Sequence, residues 1–373
     1  MKYDITAIAF SKAGTDARLL NIINLLKDSG KKILVIALQD EAFEEYAQSC
    51  GISFFGLESN KNHRLMKRWN EFLKLGRKII RGNESEIILA SDLYALPLAS
   101  RMKKFSGGKL FYDSREIYSA LGSLSNNATK QNFQNMIEKF YVSSVDEMIV
   151  SGDMDAEYLA EYFAHTLPYH TIMNLPPLQR VEKSNFLREH FNLPAETRIV
   201  LYQGALMDGR GIEQLIDAIP LVKDVVLCVV GTGPKEQIFR NEVYKRGLDK
   251  KILFLGEVPY SELPQITNSA DIGAALFQSI SLSYQLALPN KLFEYLMAGL
   301  PVIASDLPAM RKVYEEFNFG SLVPNDISAE QLAEEITALL EKKSEYSDTL
   351  FEASEKYNYN NQIKKIRSIF GVE

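Results

Sequence analysis

A chain of 373 residues, 46% hydrophobic and 24% charged, is long enough for two globular domains and has the ordinary composition of a protein that folds in water. Its net charge of -6, all of it beyond residue 170, excludes a nucleic-acid binder that works by neutralising phosphates. Cys50 and Cys228 are too few and too far apart for a disulfide framework or a zinc cluster, and no apolar run approaches the ~18 residues of a membrane span, so a cytoplasmic protein in a reducing compartment is expected.

Met1-Lys2-Tyr3-Asp4 lacks the shape of a signal peptide and leads straight into an apolar run. Short runs rich in β-branched and aromatic residues follow at 5–10, 33–38, 53–57, 87–90, 110–113 and 147–151. Helical patterns separate them. Continuous apolar runs of this kind suit strands of a parallel sheet covered on both faces. The proline-stiffened stretch Met173-Asn174-Leu175-Pro176-Pro177 reads as a linker. A charged helix over 182–191 comes next, and a second series of strands at 199–204, 225–231, 252–256, 272–277 and 301–305. The alternation predicts two doubly wound α/β domains, over 1–173 and 178–350. The last segment, over about 351–370, reads as a terminal helix.

Ligands of open α/β sheets bind beyond the carboxyl ends of the strands, so the following loops carry the candidate chemistry. Residues 61–81 hold eight basic side chains against the single acid Glu71, with Leu65, Met66, Trp69, Phe72 and Leu73 interleaved. Such a basic amphipathic helix suits an anionic membrane surface, and equally a solvated helix packed on its own sheet. Asp153-Met154-Asp155 spells D-x-D at a helix start, where aspartate commonly caps rather than binds metal. His63, His165, His170 and His190 have no metal-ligand spacing, and no metal site is expected.

The run from Gly204 to Glu213 places Gly204, Gly209, Arg210 and Gly211 between a strand and a helix. Glycines allow close backbone approach to an anion, and Arg210 offers a forked donor. The same run also suits an ordinary connection with a surface arginine. Gly231-Thr232-Gly233-Pro234 is a lone G-x-G, and Glu236 stands where a dinucleotide fingerprint needs glycine, which weighs against a nicotinamide oxidoreductase. Pro289 suits the start of a helix and Gly299 its end. Free amides at Asn290 and Lys291 would form a diphosphate site, and Glu294, one turn on, could accept from a ribose diol. A surface Lys–Glu pair is the plain alternative.

In Asn290-Lys291-Leu292-Phe293-Glu294-Tyr295 and Gly299-Leu300-Pro301-Val302-Ile303-Ala304-Ser305 the chain resembles glycosyltransferase family 4, the retaining enzymes of GT-B fold. Supporting stretches are Asp16 to Leu20, Tyr112 to Tyr118, Gln203-Gly204 with Gly209 to Ile212, Val230 to Pro234, Phe254 to Val258 and Ser269 to Gly273, in family order. The resemblance implies two Rossmann-like domains facing a central cleft, the terminal helix crossing back to the first. It also implies a nucleotide-sugar donor held mainly by the second domain and no cofactor or metal. In its terms Glu294 holds the ribose and Arg210 the diphosphate. Gly204, Gly231, Gly233, Gly256, Val258, Leu288, Asn290 and Lys291 complete the donor side. Gly14, Asp16, Arg18 and Glu116 fall on the acceptor side, with Asp113 and Arg115 beside the reacting centre. The implied acceptor is a carbohydrate or a lipid-linked one, in polysaccharide or glycoconjugate synthesis, and the implied place is the cytoplasm or the inner membrane face.

Three positions depart from the family pattern. Leu286 stands where the first glutamate of E-x7-E is expected, Ala205 replaces a common arginine, and Arg115 replaces a frequent histidine. They leave open a non-catalytic partner subunit, which would bind no nucleotide. A nucleotide-sugar epimerase, which would turn over donor without acceptor, is the other alternative.

Overall fold

The computed structural model describes residues 1–60, 62–121, 127–164, 167–180 and 182–372. Lys61 of the basic segment and His165 lie outside the described residues. The chain forms two compact units, Met1–Met173 with Gln362–Glu373, and Asn174–Asn361.

The first unit is built on β1 (Lys2–Lys12), β2 (Ile33–Leu38), β3 (Ser53–Leu57), β4 (Glu84–Ala90), β5 (Lys109–Ser114), β6 (Glu147–Val150) and β7 (Tyr169–Thr171). They pair in the order β3-β2-β1-β4-β5-β6-β7, every neighbour parallel. All six residues of β2 are buried, as a strand covered on both faces requires. The order reverses between β1 and β4, so the loops after these strands diverge and leave a crevice at their carboxyl ends. The helix Ala17–Lys27 starts there. Asp16 caps it, its Oδ1 accepting from Leu19 N at 3.0 Å.

The second unit holds β8 (Arg198–Gln203), β9 (Val225–Val230), β10 (Ile252–Gly256), β11 (Ile272–Ala275), β12 (Val302–Ser305) and β13 (Gly320–Val323) in the order β10-β9-β8-β11-β12-β13, again all parallel. Its core joins Val200, Tyr202, Leu227 and Val229 of the sheet to Leu215, Phe239 and Ile336 of the covering helices. Here too the order reverses, between β8 and β11.

Four expectations need correction. β7 and β13 are additional strands; each is an edge strand of three or four residues, too short and too little buried for its pattern to register. Gly204 and Gly231, counted within strands, end them instead, at φ +129° and +126°. The helix expected over 182–191 covers only Phe186–His190. The terminal helix is two, Ser347–Lys356 and Ile363–Ile369, parted at Asn358. Asn358 Nδ2 donates to Ser354 O at 3.0 Å and Glu355 O at 2.8 Å, satisfying carbonyls that the next helical turn would have used.

Candidate functional site

In the second unit the loops after β8 and β9 are laced together. Gly204 N donates to Val230 O at 2.9 Å, Leu206 N to Thr232 O at 3.0 Å, and Gly231 N to Gly256 O at 2.7 Å. A Cβ on Gly231 would lie 2.1 Å from Gly204 O, and one on Gly233 2.4 Å from Leu206 O. These two glycines are therefore spent on packing loop against loop, which shapes the floor of the crevice. Gly209 lies against Ile280 and Tyr284, with its carbonyl accepting from Gln278 N at 2.9 Å. Gly256 faces open space, and Val258 beyond it is half-buried.

Pro289 is the N-cap of the helix Asn290–Met297, extended at φ -72° and ψ 139°. Gly299, at φ +66°, follows its end, where Leu300 N returns to Tyr295 O at 2.9 Å. Leu288 is half-buried ahead of the helix, Asn290 is exposed, and Lys291 is only 7% exposed.

Lys291 lies beside Gly204, where a Cβ would come 3.4 Å from its Cε. Its Nζ stands 3.6 Å from the centroid of Tyr202 and 5.4 Å from that of Phe277, with no hydrogen-bond partner among the described residues. Burial, and then the charge of Arg210, hold this amine well below the ordinary lysine range, and Glu294 offsets them only in part. Arg210 packs its guanidinium on Phe277 at 4.6 Å and Tyr284 at 4.7 Å, and its buried Nε likewise lacks a partner. Phe277 thus serves both cations. A buried amine and a half-buried guanidinium resting on ring faces, each with an unspent buried donor, make a cradle for an anion.

Glu294 is one turn deeper. Gln203 Nε2 donates to its Oε2, while Gln203 Oε1 accepts from Thr267 Oγ1 at 2.9 Å. The carboxylate is oriented by this relay, and burial raises its pKa against the Gln203 bond and the Lys291 charge. It also lines a shallow, mostly apolar pocket with Tyr260, Leu263, Thr267 and Met297. Leu286 is buried at the end of the short helix Leu282–Gln285, an apolar side chain where a carboxylate was expected. Ala205 is exposed, its carbonyl taking the Tyr202 hydroxyl at 2.8 Å.

The first unit gathers four of the remaining residues. Asp113, fully buried at the end of β5, accepts from Arg18 Nε and Nη2 at 2.8–3.0 Å and from Arg115 Nε at 3.1 Å. Arg115 Nη1 donates to Asp16 Oδ2 at 2.6 Å, and its buried Nη2 has no partner among the described residues. The burial of Asp113 acts to raise its pKa, but the two guanidiniums prevail and lower it. Gly14 lies apart from this network, its amide donating to Asp40 Oδ2 at 3.1 Å. Glu116 is exposed. Of the D-x-D pair, Asp153 accepts from Thr171 Oγ1 and Asp155 is buried. Among the described residues no group of three or more His, Cys, Asp or Glu is placed to hold a metal ion.

Residues 183–362 match the model of the family described as glycosyl transferases group 1. Phosphatidyl-myo-inositol mannosyltransferase of Mycobacterium leprae is 33% identical over 186 residues, which is 48% of this chain and 47% of that one. The chain thus spans about half the length of the curated relatives it matches. HepE of Anabaena, solved with UDP, aligns over 99% of both chains at TM-score 0.74 and 18% identity. Sucrose-phosphate synthase of Thermosynechococcus elongatus aligns over 98% of both at 0.78 and 16%. The architecture is GT-B.

Within the group 1 domain, sequence reasoning singled out Arg210, Lys291 and Glu294 but missed the residues that support them. Gln203 and Thr267 hold Glu294, and Tyr202, Phe277 and Tyr284 hold the cations. One signal was available. Gln203 is a polar residue closing the apolar strand 199–203 beside the glycine loop, a position that points into the crevice end of the sheet.

Proposed function

We propose that the chain transfers a sugar from a nucleotide-diphosphate sugar to a hydroxyl group of a carbohydrate or lipid-linked acceptor, with retention of configuration and without a metal ion. Polysaccharide or glycoconjugate synthesis at the cytoplasmic face of a membrane fits this chemistry. The observation that carries the reading is the pair formed by Lys291, buried at the start of the helix Asn290–Met297, and half-buried Arg210 in the loop after β8, each with a buried nitrogen left without a partner among the described residues. Breaking the bond from the sugar C1 to the phosphate oxygen leaves charge on the diphosphate. Two fixed cations and free helix amides stabilise that charge where a divalent ion would otherwise be needed. Glu294, aimed by Gln203, takes the ribose hydroxyls, and the apolar pocket beside it takes the base.

The acceptor oxygen forms the new bond to C1 on the face the diphosphate leaves, and its proton passes to the departing phosphate. Asp113, enclosed by two guanidiniums, has no lone pair to spare as a base; it positions Arg115, whose Nη2 is left to bind the acceptor. The solved HepE complexes with UDP and UDP-glucose make uridine the first base to try.

Thermal stabilisation by uridine, guanosine, adenosine, thymidine and cytidine diphosphates, in EDTA, tests the reading. One diphosphate should stabilise selectively, by about 2.7 kcal/mol at 100 times its Kd. No response at millimolar concentration would leave the site decayed and remove the enzyme reading.

A further inference from the structure

The helix Ala128–Val142 has an unusual distribution of polarity. Toward the sheet it buries Ile137 and Val142 but also Gln134 and Glu138. Outward it carries Phe133, Met136 and Phe140, exposed by 36%, 62% and 70%. These three stand at i, i+3 and i+7, a single stripe along the helix. Burying Gln134 and Glu138 while exposing phenylalanine and methionine is unfavourable in water, unless the outer stripe has an apolar neighbour.

The two preceding helices of the same unit continue this face. Leu65–Ile80 and Leu96–Ser106 pack side by side, Gly76 leaving no room for a Cβ against Leu98. Trp69 Nε1 donates to Tyr94 O at 2.8 Å, and the Trp69 ring meets Phe133 edge-on at 6.4 Å, joining the first helix to the third. Leu65, Met66 and Phe105 are exposed here as well. Within the three helices ten lysines and arginines stand against two glutamates. Glu138 is buried, and Glu71 is bonded to His63 at 2.9 Å. Lys103 is paired with Asp146 at 2.6 Å, and the other nine basic residues leave the outward charge strongly positive in a protein whose net charge is -6.

We propose that these three helices are the face by which the protein docks on an anionic lipid bilayer. Phe105, Met136 and Phe140 enter the headgroup region while the surrounding basic side chains meet lipid phosphates. The pattern decides between partners. Large apolar side chains protrude singly among long basic ones, which suits a fluid interface that closes around each protrusion. A second copy docked symmetrically would set nine such basic residues against nine, and like charges repel. An anionic surface instead attracts every one of them.

This deepens the lipid-side part of the reading above, and its test involves no donor or turnover, so the two can fail separately. The full chain is floated with phosphatidylcholine vesicles, with and without phosphatidylglycerol, at low and high salt. Binding only to the anionic vesicles, weakened by salt, is expected. Met136→Ser with Phe140→Ser should weaken it by about tenfold or more, and Lys74→Glu with Lys78→Glu by a similar factor. Both variants should keep the nucleotide stabilisation and melting behaviour of the parent. Absence of binding to either vesicle, or unchanged binding by both variants, overturns the proposal. So does a parent dimer in sedimentation that Met136→Ser with Phe140→Ser makes monomeric without any vesicle binding, which would assign the face to a second copy. Vesicle binding by a chain that no nucleotide stabilises would uphold this inference and count against the transferase reading.

Discussion

At the scale of single residues, the chemistry turns on charges held away from water. Lys291 has its pKa lowered well below the ordinary lysine range, mainly by burial, so in the free protein it gives up its proton at a lower pH than an exposed lysine does. A bound diphosphate would favour the charged form. Affinity should therefore fall as pH rises through the depressed pKa, and binding above that pKa should take up protons. Calorimetry in buffers of different ionisation enthalpy reads that uptake, and Lys291→Met should abolish it; unchanged uptake would exclude Lys291 as its source. Arg210→Ala should reduce turnover by ~10²-fold or more with little change in melting. Glu138 shows the opposite sign. Its buried carboxyl, bonded to the Tyr112 hydroxyl at 2.8 Å, is raised to about 7 by desolvation. The folded state then holds a proton the unfolded state releases, so stability declines as pH rises from about 4 to about 7. Glu138→Gln keeps the Tyr112 bond and should add on the order of 2–3 kcal/mol above pH 7 and little near pH 4, measured by urea unfolding.

Loops and helices, one scale up, explain why some motif residues are what they are. The G-x-G after β9 looks like a ligand cradle in sequence, yet its glycines are required by the neighbouring loop. Gly231→Ala places a Cβ on the Gly204 carbonyl in a left-handed backbone, and should cost about 2–4 kcal/mol. Gly247, at φ +65° with nothing near it, is the control, and Gly247→Ala should cost only about 1 kcal/mol. Equal losses in thermal unfolding would show that backbone conformation alone accounts for both. The helix Asn290–Met297 illustrates a second point. Its bounding Pro289 and Gly299 were legible as local signals, because proline and glycine act through their own backbone. The burial of Lys291 was not, since it depends on Tyr202 and Phe277 arriving from two strand ends.

On the scale of the molecule, the proposed reading gives the donor to the second unit and the acceptor to the first. Hydrogen exchange with and without the stabilising nucleoside diphosphate should show added protection at 203–213, 231–236 and 288–297 of the second unit, with the Asp113–Arg115 network unchanged. Protection confined to the first unit would reverse the assignment of donor and acceptor. The charge asymmetry belongs to this scale too. A chain acidic overall still gathers ten basic residues on three adjoining helices, which no count over the whole sequence conveys.

The sequence alone determined the fold class and most of the strands. Eleven continuous apolar runs alternating with helical patterns leave few arrangements other than two doubly wound sheets, because that periodicity is a property of the chain itself. It also marked Arg210, Lys291 and Glu294 as candidates, through local loop and helix-end signals together with the family resemblance. Tertiary structure alone decided what those residues can do. Gln203 reaches Glu294 across 91 positions of chain, and Arg18 reaches Asp113 across 95. The edge strands, the ring faces under the cations and the outward phenylalanines all depend on neighbours distant in sequence. Packing sets burial, and burial sets charge, so the electrostatics of the site could be read only once the chain had been brought together.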